Sequence, residues 1–131
     1  MATVLVIDDE KDICQCFEDL FTTEESSFKV LKADNGPDGL DLLKKHKPDI
    51  VFVDLQLQAA MDGIEVVKRI KLIDPTAKIV VVSGFIDDRD DETVKRMGVD
   101  SCLAKPATPD EIIRLVKKLL RQNKWGGDSN G

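Results

Sequence analysis

The sequence predicts a doubly wound α/β fold, a parallel sheet of five strands with five helices covering its two faces. Three observations lead there. Strand-like and helix-like patterns alternate five times along the 131 residues with short connections, the arrangement that builds parallel sheets. The runs at 50–53 and 79–82 are apolar at every position, as central strands buried on both sides must be. Four apolar runs also stop at a polar group: 4–7 at Asp8 and Asp9, 50–53 at Asp54, 79–82 at Ser83, and 102–104 at Lys105. In open α/β sheets the functional crevice lies beyond the carboxyl ends of the strands, so parallel pairing brings these groups to one edge.

Each element has its own local reason. The first strand spans 3–7, and a first helix over about 10–22 places Ile13, Phe17, Leu20 and Phe21 on one face. Residues 28–33 alternate apolar and polar, which suits an edge strand open to solvent. Asn35, Gly36 and Pro37 form a turn that starts the second helix, with Asn35 as cap and Pro37 in the first turn; Leu40, Leu42 and Leu43 supply its buried side up to about His46. His46 stands among lysines at that helix's carboxyl end, a dipole-facing position rather than a catalytic one. After the central strand a loop runs over 56–61, and Asp62 with Glu65 has capping-box spacing for a third helix carrying Val66, Ile70 and Ile73 inward. Asp74 and Pro75 stop it. The fourth strand covers 77–82. The fourth helix, over about 87–97, begins in an acidic run and offers only Val94 and Met97 to the core, which makes it the least firmly packed. A short fifth strand ends at Lys105, and Thr108, Pro109 and Glu111 form a capping box for a fifth helix with Ile112, Leu115, Val116, Leu119 and Leu120 on its apolar face. That helix is expected to end near Arg121. Residues 1–122 thus read as one domain, and 123–131 as a disordered tail or linker stump.

Composition narrows the function. A net charge of -6 argues against direct nucleic-acid binding, which needs a basic surface to neutralise phosphates. No apolar run approaches the roughly 20 residues that span a bilayer, and no signal-peptide core precedes the first strand, so the expected location is the cytoplasm and no membrane partner is expected. Three cysteines, Cys14, Cys16 and Cys102, suit a reducing compartment. Cys14 and Cys16 are two residues apart on a helix and do not share a face, which disfavours a metal site. The Asp8 to Lys11 turn has no Gly-rich phosphate loop, which excludes dinucleotide binding.

The strand ends carry the chemistry. Three carboxylates at one edge, about 4 Å apart, repel by roughly 4 kcal/mol per pair at an effective dielectric near 20. Relief comes from a raised pKa or a bound cation, and oxygen ligands favour a hard ion such as Mg²⁺. Lys105 adds a fixed positive charge and Ser83 a hydroxyl donor. A pocket in which a cation and a lysine flank one carboxylate suits the three equatorial oxygens of a phosphoryl group, with Asp54 as nucleophile in forming an acyl phosphate. Each group alone has an ordinary structural explanation as a cap or a loop residue; their placement at the ends of different strands joins them.

Asp8-Asp9, Asp54, Asp62-Gly63, Ser83-Gly84 and Lys105-Pro106, in this order and spacing, give residues 2–122 a resemblance to the receiver domain of response regulators in two-component signalling. The resemblance implies a flavodoxin-like strand order, 2-1-3-4-5. It implies that Asp54 is the phosphoacceptor, fed by a sensor histidine kinase or a phosphotransfer protein. Asp9 and Asp54, with the Gln56 backbone carbonyl, would ligate Mg²⁺, and Asp8 would hold it partly through water. Ser83 and Lys105 would bind the phosphoryl oxygens. Their movement would reach an output domain, a protein target or a phosphorylation-dependent homodimer through the face of the fourth helix, fifth strand and fifth helix. The chain departs from the pattern at Gln58, in a loop one residue longer than usual, and at Cys102 and Ala107, where aromatic residues are common. Ser83 and Cys102 are the switch positions, and with Cys102 a rotating ring is replaced by a thiol.

The reading that follows is a signalling switch and not an enzyme beyond its own phosphoryl transfer and autodephosphorylation. Two alternatives stand beside it. One is a phosphorylation-independent interaction module on the same fold, and the other a Mg²⁺-dependent aspartyl phosphatase. The second is disfavoured by Gln56, which stands where such enzymes need an acid or base and cannot give up a proton.

Overall fold

The computed structural model describes residues 2–10, 28–57, 61–84, 92, 95–105 and 107–128. Five strands, β1 (Ala2–Ile7), β2 (Phe28–Ala33), β3 (Ile50–Asp54), β4 (Lys78–Ser83) and β5 (Ser101–Ala104), form one sheet in the order β2-β1-β3-β4-β5. All four pairings are parallel, so the expected topology and the edge position of β2 are both observed. Among the described residues three helices are complete: α1 (Gly36–His46), α2 (Gly63–Ile73) and α3 (Pro109–Asp128), the second, third and fifth of the expected helices. The expected first helix falls almost wholly on residues outside the described set. Of the expected fourth, residues 92, 95 and 96 are helical and 87–91, 93 and 94 lie outside it.

The pleat sorts the apolar runs into two cores. Val4 and Val6, Ile50 and Phe52, and Val80 and Val82 pack with Leu103 under Ile112, Val116 and Leu119 of α3. The alternate residues, Leu5 and Ile7, Val51 and Val53, and Ile79 and Val81, face Leu40 and Leu43 of α1 and Val66, Val67 and Ile70 of α2. Burial on both sides is why these strands read as continuous apolar runs rather than as alternating ones.

Local signals set the ends. Asn35 caps α1 by accepting the Asp38 N–H at 2.8 Å, and Lys47 closes it in the left-handed region at φ 48°. Asp62 caps α2 through the Glu65 N–H at 2.9 Å, and Asp74 ends it. Thr108 and Glu111 form the reciprocal box at the start of α3, at 3.2 Å and 3.0 Å. Two aspartates staple the amino-terminal edge of the sheet: Asp49 accepts the Thr3 N–H and Asp100 the Ile79 N–H, each at 2.8 Å. They satisfy strand-end donors at the edge opposite the functional groups.

One boundary needs correction. α3 does not stop near Arg121 but continues to Asp128. The apolar stripe does end there, yet Gln122, Asn123, Lys124 and Trp125 include no proline to break the helix, and extending an existing helix costs far less than starting one. The tail expected to be disordered from Asn123 is therefore helical as far as Asp128, and 129–131 lie outside the described residues.

Candidate functional site

Parallel pairing places Asp8, Asp54, Ser83 and Lys105 at one edge because each follows or ends its strand. Asp54 is the last residue of β3, paired with Val82, and Ser83 the last of β4, paired with Ala104. Lys105 follows β5, and its N–H donates to the Ser83 carbonyl at 2.9 Å. Asp8 continues β1, its N–H donating to the Ala33 carbonyl at 3.0 Å. Asp8, Asp54 and Ser83 are almost wholly buried, at 2%, 3% and 2% exposure.

The Lys105 ammonium sits at the centre. Its Nζ lies 3.3 Å from Asp8 Oδ2, 3.3 Å from Asp54 Oδ2 and 3.1 Å from Glu10 Oε1. The two buried carboxylates are anchored from their other oxygens. Asp8 Oδ1 accepts the Glu10 N–H and Asp54 Oδ1 accepts the Gln56 N–H, both at 2.9 Å. These anchors fix the aspartate rotamers and leave Oδ2 of each turned to Lys105.

Burial pushes the Asp8 carboxyl up, and the Asp54 charge adds to it, against the Glu10 N–H and the Lys105 charge, which pull it down. For Lys105, burial works against the ammonium, but the hydrogen bond to Glu10 and the charges of Asp8 and Asp54 outweigh it and raise its pKa. Lys105 therefore stays charged at neutral pH.

Carboxylate oxygens of Asp8, Glu10 and Asp54 lie within 4.8 Å of one another. Three carboxylates against one ammonium leave negative charge uncompensated, and an all-oxygen donor set of this size fits a hard divalent cation. Asp9, expected among the ligands, is half-buried beside this group and is not one of the three. Glu10 is the residue that sequence reasoning passed over. Its signal was its place in the Asp8-Asp9-Glu10 run, read only as far as the second acid. Gln56 is exposed and tied to Asp54 through its N–H. Cys102 is half-buried on β5, opposite Val81 and on the α2 side of the sheet, where Met97 and Val99 also pack.

Gly63 completes the geometry. A Cβ there would stand 2.3 Å from the Asp54 carbonyl oxygen and 2.5 Å from Leu55 Cα. The start of α2 thus abuts the backbone of Asp54, an approach only glycine allows.

Residues 4–117 match the response regulator receiver domain family, and the chain belongs to that family. It is 32% identical over 117 residues to the sporulation initiation phosphotransferase F of Bacillus subtilis, covering 89% of this chain and 92% of that protein. It is 33% identical over 126 residues to the cell cycle response regulator CtrA of Brucella ovis, covering 96% of this chain but 53% of that protein. The crystal structure of a CheY-like response regulator receiver domain protein from Methanospirillum hungatei superposes with a TM-score of 0.88 at 19% identity, over 95% of this chain and 97% of that one, a likeness of fold. This is a receiver domain of a two-component response regulator, a signalling switch rather than an enzyme of the usual kind. Among the described residues no helix is long and apolar enough to cross a membrane.

Proposed function

We propose that the chain is a phosphoacceptor switch in which Asp54 takes a phosphoryl group from a phosphohistidine on a sensor histidine kinase or a phosphotransfer protein. The observation that carries this reading is the buried Asp54 carboxylate with the Lys105 ammonium 3.3 Å away and a second buried carboxylate, Asp8, on the same ammonium. In the reaction a carboxylate oxygen of Asp54 bonds to phosphorus as the P–N bond to imidazole breaks. The electron pair leaves with the ring nitrogen, and an acyl phosphate remains on Asp54.

Asp8, Asp9 and Asp54, with the Gln56 carbonyl, are the groups that would hold Mg²⁺, which when bound supplies positive charge to the phosphoryl oxygens, while Glu10 stays on Lys105. Lys105 donates to one phosphoryl oxygen and holds its charge throughout, so no proton need move on it. The Ser83 hydroxyl is the short donor for another. Gln56 at the mouth can orient water for slow autodephosphorylation but offers no proton. The domain takes in α3 through Asp128, works in the cytoplasm, and passes its state on through β5, α3 and the helical residues 92, 95 and 96. The recipient is an output domain, a protein target or a second copy of the chain.

The test is intact mass after incubation with Mg²⁺ and acetyl phosphate, beside Asp54→Asn. Gain of one phosphoryl group by the parent alone is expected. No gain by folded parent protein overturns the reading in favour of an interaction module that works without phosphorylation.

A further inference from the structure

Lys105 has three N–H donors, and three carboxylates take them. The three differ in how readily they let go. Asp8 and Asp54 have side chains 3% exposed and are pinned through their second oxygens by backbone N–H groups at 2.9 Å. Glu10 makes the shortest of the three contacts, 3.1 Å, from a side chain that is 60% exposed. With every donor engaged, Lys105 can bind a phosphoryl oxygen only by surrendering a partner. Asp54 carries the incoming group. Asp8 would lose the cation that faces its buried carboxylate, a costly state. Glu10 alone can turn into water at small cost, since exposed ion pairs are weak.

We propose that Glu10 is a releasable latch on Lys105: it holds the ammonium in the resting protein and gives it up to a phosphoryl oxygen when the group arrives on Asp54. The inference rests on the phosphoacceptor reading and deepens it by naming the residue that gates engagement of Lys105. Glu10 is a positioning residue here, acting through Lys105. The covalent step is unchanged: with acetyl phosphate, the Asp54 O–P bond forms while the P–O bond to acetate breaks, and acetate leaves with the electron pair.

The test follows phosphorylation by acetyl phosphate through intact mass, at varied donor concentration and at Mg²⁺ shown to be saturating for each variant. It uses the parent, Glu10→Gln, Lys105→Met and the double variant. Glu10→Gln should raise the rate constant at saturating donor roughly two- to five-fold, the range of a partly exposed ion pair, with the half-saturating concentration unchanged. In the Lys105→Met background the same substitution should do nothing. A gain that survives without Lys105, or that lies only in the half-saturating concentration and vanishes in salt, makes Glu10 a repelling charge at the mouth and overturns the latch. A parent that takes no phosphoryl group overturns the phosphoacceptor reading itself, and the latch with it. A second measurement needs neither Mg²⁺ nor reaction. The nitrogen–proton NMR correlation of the Lys105 ammonium should be visible in the parent, where all three protons are bonded, and lost to solvent exchange in Glu10→Gln. An unchanged signal overturns the latch even where Lys105→Met reacts too slowly to read.

Discussion

Replacing Asp8 with Asn should make the metal-free protein more stable and leave it deaf to Mg²⁺. At an effective dielectric near 20, Asp54, within 4.8 Å oxygen to oxygen, repels the Asp8 carboxylate by at least about 3.5 kcal/mol, while Lys105 at 3.3 Å attracts it by about 5 kcal/mol. Glu10 is largely exposed, so its repulsion adds no more than about 1 kcal/mol. The pairwise charges therefore nearly cancel, and the cost of burying the carboxylate remains, several kcal/mol in typical proteins. Asn keeps the acceptor for the Glu10 N–H but turns its amide NH2 toward Lys105, leaving one ammonium donor unsatisfied, which returns roughly 2 kcal/mol of that relief. A net stabilisation of about 1–2 kcal/mol follows, read as a urea midpoint higher by roughly 1 M for a slope of about 1.5 kcal/mol/M. The pH dependence has a fixed sign. The folded-state pKa of Asp8 is raised, so its contribution to stability is complete below the unfolded carboxyl value and is lost as pH rises through the folded one. The advantage of the variant should accordingly be small in acid and grow toward neutral pH. At ten times its dissociation constant Mg²⁺ should stabilise the parent by about 1.4 kcal/mol and the variant hardly at all. A variant less stable than the parent at neutral pH without Mg²⁺, or a gap constant with pH, refutes the electrostatic account.

Gly63→Ala forces a Cβ onto the Asp54 carbonyl oxygen and Leu55 Cα, and because both are backbone the strain passes to the nucleophile. Equilibrium unfolding should show a loss of about 2–3 kcal/mol, and the acetyl phosphate reaction should slow by roughly 100-fold, as a misplacement near 1 Å does. An unchanged rate would mean the close approach is incidental. Phe52→Ala empties the largest fully buried side chain among the described residues, on the α3 face of β3, and should cost about 3–5 kcal/mol in denaturant unfolding while sparing the strand order. Glu111→Gln tests the α3 box: the hydrogen bonds with Thr108, backbone first, hold the Glu111 carboxyl below its usual value. The stability this gives is present above the unfolded carboxyl value and lost as pH falls through the folded one, so thermal melts of the variant should show a weaker acid dependence than the parent.

The fold was legible because its signals were redundant. Ile50 to Val53 and Ile79 to Val82 could only be buried on both faces, and the caps at Asn35, Asp62 and Thr108 are the ones observed. The end of α3 was not legible. Periodicity reports where a helix carries its apolar stripe, and that stripe ends with Leu119 and Leu120, yet the backbone continues helical to Asp128.

The site divides along the same physical line. Asp8, Asp54, Ser83 and Lys105 were found because each ends a strand, and strand ends in a parallel sheet converge by topology alone. Glu10 was missed because it belongs to no strand end, and its link to Lys105 is a contact across 95 residues of sequence that only folded geometry creates. Gly63 was noted as a motif partner of Asp62, but its reason, the 2.3 Å approach of a Cβ to Asp54, belongs to the packing of α2 on β3. Chain order therefore locates groups that the backbone carries to the edge, and it is silent about side chains that reach the edge from outside. Glu10 is such a side chain, and because it is held by a contact and not by the sheet, it is the partner of Lys105 that can leave without disturbing the fold.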